Sequence, residues 1–112
     1  MVLKIRVGEQ TLSANETKTV GIDIPEGVRF SAHKLHFKST GTFKIIRIYD
    51  KATNQTFSAG AWYSDMIKDR NANVCHFPVP LEVTGPTTIM FEVTDTSGSS
   101  NTVVIGLMGD EA

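Results

Sequence analysis

Residues 42–63, TFKIIRIYDKATNQTFSAGAWY, constrain the fold more than any other stretch of this chain. Side chains of an extended chain alternate between two faces. Phe43, Ile45, Arg47 and Tyr49 would therefore share one face, and Lys44, Ile46, Ile48 and Asp50 the other. The run is rich in β-branched and aromatic residues, which suit a pleated surface. Asp50, Lys51 and Asn54 then interrupt it. Asp and Asn bond their own backbone and tolerate a left-handed conformation, so they mark a turn. Residues 55–59 return as a second strand, which makes a β-hairpin with a loop of several residues. The hairpin leads into Gly60, Ala61, Trp62 and Tyr63, where Trp62 is the single tryptophan. A rigid hairpin that delivers aromatics to a loop is a natural place for recognition.

The same alternation recurs along the chain. Residues 2–7 place Leu3, Ile5 and Val7 on one face and Lys4 and Arg6 on the other, the pattern of a half-buried strand, and Gly8, Glu9 and Gln10 read as a turn. Val20, Ile22 and Ile24 point inward from the next strand, which Pro25 and Gly27 end. In residues 28–38 the phase slips: Val28, Phe30 and Ala32 hold one parity, Leu35 and Phe37 the other. A bulge near His33 and Lys34 would reconcile them, because one extra residue flips the facing of all that follow, and a strand that crosses from one sheet to the other would do the same. Residues 63–73 are the least strand-like and form an irregular excursion with room for one helical turn capped by Ser64 or Asp65. Pro78 and Pro80 put the following strand at a sheet edge or in a connection. Ile89, Phe91 and Val93 face in from one strand, and Val103, Ile105 and Leu107 from the last.

About eight strands with turn signals between them read as a single all-β domain, residues 1–112. The phase slip and the excursion favour an antiparallel, jelly-roll-like β-sandwich over an immunoglobulin sandwich. Ile22, Phe30, Phe37, Ile46, Ile48, Phe91, Val93 and Ile105 are the expected core.

Composition narrows the function. A formal net charge of −1 does not favour nucleic acid, which selects a basic surface. No segment approaches the ~18 apolar residues of a membrane-spanning helix. The first residues lack the apolar core of a secretory signal, so synthesis in a reducing cytosol is expected. The single cysteine, Cys75, is expected to be buried and inert.

Candidate catalytic and metal motifs each have a simpler explanation. His33 and His36 are three apart and face opposite ways on a regular strand, with no third ligand in view. Cys75 and His76 are neighbours on a strand and point apart, so they make a poor nucleophile pair. Asp95, Thr96, Ser97 and Gly98 look like the aspartic-protease Asp-Thr/Ser-Gly loop with a residue inserted, and a polar hairpin turn explains them. No catalytic residue, metal or cofactor is expected, and the protein reads as a non-enzyme.

Recognition is the remaining function class. Trp62, Tyr63 and Met66 are the expected anchors for a partner, with Lys68, Asp69 and Arg70 setting its orientation. Trp62, Tyr63 and Tyr49 also suit a sugar-stacking platform, and Trp62 equally suits a plug at the end of the sandwich.

Three phrases carry a family likeness: LHFKSTGTFKIIRIYDKATNQTFSAG, FPVPLEVTG and IMFEVTDTSGSSNTVVIGLMG. They resemble small virion proteins of tailed bacteriophages, and within that class the jelly-roll decoration or staple proteins of short-tailed phages of the epsilon-fifteen type. The resemblance implies a capsid decoration protein on the virion exterior, made in the host cytoplasm, that bridges neighbouring major capsid subunits. It implies no catalytic residues. A homodimer is expected, joined through an edge strand at residues 2–7 or 101–108. Surface carbohydrate is the alternative partner, because the fold is shared with carbohydrate-binding modules. An accessory tail or fibre module is a further alternative.

Overall fold

The computed structural model describes residues 2–67 and 74–111. Its strands are β1 (Val2–Leu12), β2 (Thr17–Ile24), β3 (Arg29–Ser39), β4 (Phe43–Asp50), β5 (Thr56–Tyr63), β6 (Val74–Thr84), β7 (Thr87–Asp95) and β8 (Asn101–Glu111). They form two four-stranded antiparallel sheets, ordered β1-β8-β3-β6 and β2-β7-β4-β5. This is a jelly-roll sandwich. Only β4 and β5 are consecutive strands that are also neighbours in a sheet. The hairpin at residues 42–63 is thus the one local pairing, and every other connection crosses between sheets.

Alternation decides the core, with two bulges resetting it. Ile22, Phe30, Phe37, Ile48, Phe91, Val93 and Ile105 are buried as expected. Phe37 of β3 meets Phe43 of β4 edge-to-face across the sheets, with centroids 5.1 Å apart. The register of β3 shifts between Ala32 and Lys34, so the phase slip is a bulge and not a crossing between sheets. A second shift, between Ile45 and Arg47, was not read from the sequence. It turns Phe43 and Ile45 inward before it and Ile48 and Asp50 inward after it. Ile46 sits at this bulge and is only half-buried, which corrects its place in the expected core.

Strand β1 also departs from expectation. Gly8, Glu9 and Gln10 make no turn; the strand runs on to Leu12. Its apolar row faces out, with Leu3 66%, Ile5 59% and Val7 58% exposed. The reason lies at the sandwich flank, where β1 and β2 are the edges of the two sheets. A Cβ on Gly8 would lie 2.5 Å from the Gly21 carbonyl oxygen, so only glycine fits between the strands. The inward row of β1 holds Arg6, Gly8, Gln10 and, at its end, the core residue Leu12, and the long side chains of Arg6 and Gln10 reach carbonyls of β2. Arg6 Nη1 donates to Asp23 O at 3.5 Å and Gln10 Nε2 to Thr19 O at 3.3 Å. Lys18 Nζ returns the contact to Thr11 O at 3.3 Å.

Candidate functional site

The buried acids belong to turns. Asp95 is 2% exposed. Its carboxylate accepts from five donors: the Asn15, Ser97 and Gly98 amides, the Ser97 hydroxyl and the Asn101 side-chain amide. Led by the Ser97 hydroxyl and the Asn15 amide, these bonds hold its carboxyl well below the usual range. Asn101, itself buried, donates from the same Nδ2 to Thr42 O at 2.8 Å, and its Oδ1 accepts the Gly41 amide at 3.0 Å. Three loops at one end of the sandwich are thereby tied together. At the other end Asp50 accepts from the Ala52 amide and from the hydroxyls of Thr53 and Thr87. Both carboxylates are occupied by local donors, which explains Asp95-Thr96-Ser97-Gly98 as the polar turn expected.

The histidines and the cysteine are dispersed. His33 is exposed at the β3 bulge and lies 3.2 Å from Asp110. His36 sits on the outer face of the sheet, between Gly106 and Val74 in register, with Nε2 buried and unpartnered. Cys75 is half-buried rather than fully buried; its thiol donates to His76 O at 3.8 Å, and burial pushes its pKa up. No group of three or more metal-ligating side chains occurs among the described residues.

A concave feature lined by Phe57, Trp62 and Phe77 lies on the flank opposite β1 and β2. Strands β5 and β6 are the outer edges of their sheets there. Between them is an open cleft of about 530 Å³ whose floor and walls include Ile48, Phe57, Trp62, Phe77, Val79 and Leu81. Phe57 and Trp62 differ in parity, yet both pack against the core. A register shift relative to β4, with Gly60 at φ +98°, accounts for this. The shift turns Trp62 inward opposite Ile45. Among the described residues no charged side chain lines the cleft, and Ser58 is its single hydroxyl.

The expected anchors are separated by this geometry. Trp62 is half-buried, packed on the core and open to the cleft, so it is both plug and wall. Tyr63, the next residue along β5, is 44% exposed and lies under Lys44, whose Nζ is 5.6 Å from the ring centroid. Tyr49 lies under Arg47 instead, at 4.0 Å, so the three aromatics form no single platform. Met66 is 61% exposed in a 3-10 turn, Ser64–Met66. No side chain caps that turn, and Ser64 Oγ accepts the Phe43 amide at 3.2 Å. Lys68, Asp69 and Arg70 lie outside the described residues.

Sequence reading missed the opposite wall of the cleft. Phe77, Val79 and Leu81 come from β6, and Val79 is 76% exposed. The paired prolines beside Val79 were the available signal, since they mark an edge. The outward row of β1 was missed for the reason given above. It continues onto β8, where Ile5 is opposite Met108 and Glu9 opposite Val104, both half-buried. Strand β8 itself lies between β1 and β3, so residues 101–108 offer no edge to a second copy. No protein-family model and no curated protein sequence matches this chain.

Proposed function

We propose that this protein is a non-catalytic decoration protein of a bacteriophage capsid that binds the outer surface of the shell and bridges neighbouring major capsid subunits. One observation carries the reading: large apolar side chains are exposed on two separate flanks of one small domain. Leu3, Ile5 and Val7 line the β1 flank, and Tyr63, Met66 and Val79 the β5–β6 flank. Exposed apolar clusters mark interaction surfaces, and two of them on opposite flanks suit a protein that joins two bodies. The outer row of β1 is the face through which two copies meet. The cleft and the adjoining Tyr63 and Met66 face the capsid protein. Repetition over a shell makes weak single contacts collectively strong, and a protein that binds only the assembled lattice stabilises it by mass action.

Surface carbohydrate is the competing partner. A sugar needs hydrogen-bonding groups beside its stacking ring, and among the described lining residues Ser58 alone supplies a hydroxyl, so a protein partner fits better. The test compares particles from a phage lacking the gene with complete particles. Gene-deleted particles should be disrupted at a lower temperature, read by dye access to the packaged nucleic acid, and purified protein should restore the difference. Deleted particles with full heat and chelator resistance would overturn the reading. Intact particles that fail to adsorb to cells would put the carbohydrate role in its place.

A further inference from the structure

Among the described residues β5 pairs only with β4, so its outer backbone edge is open along Thr56–Tyr63. The cleft faces that edge. Across it, β6 contains Pro78 and Pro80, which have no N–H to give a ladder. The two rims therefore cannot zip together, and an incoming strand finds its template on β5, which has no proline. We propose that β5 takes up an extended segment of the partner as a fifth strand of the β2-β7-β4-β5 sheet. The inference rests on the protein-binding reading above and names the chemistry of the bound segment.

Its two faces are set by what they meet. Side chains pointing inward enter a cleft walled by Phe57, Trp62, Phe77 and Val79, with no charged side chain among its described lining residues, so they are aliphatic. Side chains pointing outward lie beside Tyr63, which carries Lys44 over its ring. Lys44 has no carboxylate within ion-pairing distance among the described residues, so an acidic residue there is complementary. The segment thus alternates aliphatic and acidic residues. Eight such residues extend about 27 Å, the length of β5. An interface of that kind falls in the small, weak class below about 1,200 Å², and main-chain bonds give it affinity while alternate side chains give it specificity. Weak binding of single copies is what a lattice of repeated sites requires.

The probe is a capped eight-residue peptide alternating valine and glutamate, followed by the fluorescence of Trp62, the single tryptophan. The controls are a block peptide of the same composition and an alternating valine–lysine peptide. The alternating valine–glutamate peptide should shift Trp62 emission to the blue and bind about tenfold more tightly than either control. Val79→Asp, at an exposed cleft position, should abolish the response with the melting temperature unchanged. Lys44→Glu should reverse the preference toward the valine–lysine peptide. Equal affinity for alternating and block peptides overturns the proposal. So does a response to maltohexaose with none to any peptide. Peptide binding by a protein that does not restore gene-deleted particles would refute the capsid role and leave the open edge standing. Full decoration by Val79→Asp, with no peptide response from the unaltered protein, would do the reverse.

Discussion

At the β1–β2 flank the two sheets come so close that a methyl group on Gly8 would overlap the Gly21 carbonyl, whereas at the β5–β6 flank the same sheets leave a cleft of about 530 Å³. Both flanks face one problem, because an edge strand presents unpaired backbone groups. The first flank solves it by close approach and by long side chains laid over the opposite carbonyls. The second solves half of it, by placing prolines in β6, and among the described residues leaves β5 open. Local polar detail therefore decides which side of a symmetric architecture is sealed and which can take a partner.

The largest effect should come from the layer that supports both flanks. Phe91 of β7 is fully buried. Phe91→Ala should cost roughly 3–5 kcal/mol, a large part of the ~5–15 kcal/mol typical of a domain. Urea denaturation should show one transition at a lower midpoint. A near-neutral result would mean that the two flanks do not share this core.

The next comparison sets the flanks against each other. Gly8→Val forces atoms into backbone at the sealed flank and should cost about 1–3 kcal/mol. Ala61→Val adds the same kind of bulk at an exposed position of the cleft and should stay within about 0.5 kcal/mol. Equal costs in thermal or urea melts would show that the flanks are not sealed differently. Trp62→Ala sharpens the contrast. A core Trp→Ala change costs ~3–5 kcal/mol, and half-burial leaves roughly 2 kcal/mol. The variant should fold yet lose occupancy on particles. Full occupancy would leave Trp62 as a plug and remove it from the binding surface.

Those differences also mark what a sequence can disclose. Alternation alone located the strands and seven of the eight expected core residues, because facing on a regular strand is a local property. The β3 bulge was legible because apolar residues on both sides of it disagree in parity. The β4 bulge was hidden: Ile45, Ile46 and Ile48 are apolar on either phase, so no residue was out of place. In β1 the alternation fits a half-buried strand, but close approach to β2 admits no side chain at position 8 and the apolar row Leu3, Ile5 and Val7 faces out. The cleft depends on β5 and β6 lying at corresponding edges of different sheets, a consequence of sheet order and not of either segment. Trp62 and Tyr63 were read as one anchor because they are adjacent, and adjacency on a strand is what separates them.

The smallest predicted effect concerns acid, and it should act at the end of the sandwich that holds the β1–β2 turn. Two carboxylates hold the β1–β2 turn: Asp95 accepts the Asn15 amide at 2.9 Å, and Glu16 accepts the Ser13 amide at 2.9 Å. Both pKa values are lowered by folding, Asp95 chiefly through the Ser97 hydroxyl and Glu16 chiefly through the Ser13 amide, with Lys18 assisting. A carboxyl whose folded pKa is depressed binds its proton more readily when unfolded, so acid favours unfolding. The contribution of each is full above the ordinary carboxylate pKa of about 4 and is lost as pH falls toward the folded value. Glu16 is partly exposed and Asp95 buried among five donors, so Glu16 should protonate first. The urea midpoint should be flat from pH 7 to 5 and then fall. Glu16→Gln should lower the plateau slightly and flatten the upper part of that fall, leaving the steeper loss at lower pH to Asp95. Cleft binding read by Trp62 should follow global unfolding only, because no charged side chain lines the cleft among the described residues. Identical acid profiles for the protein and Glu16→Gln would show that the Ser13–Glu16 bond adds nothing to that turn.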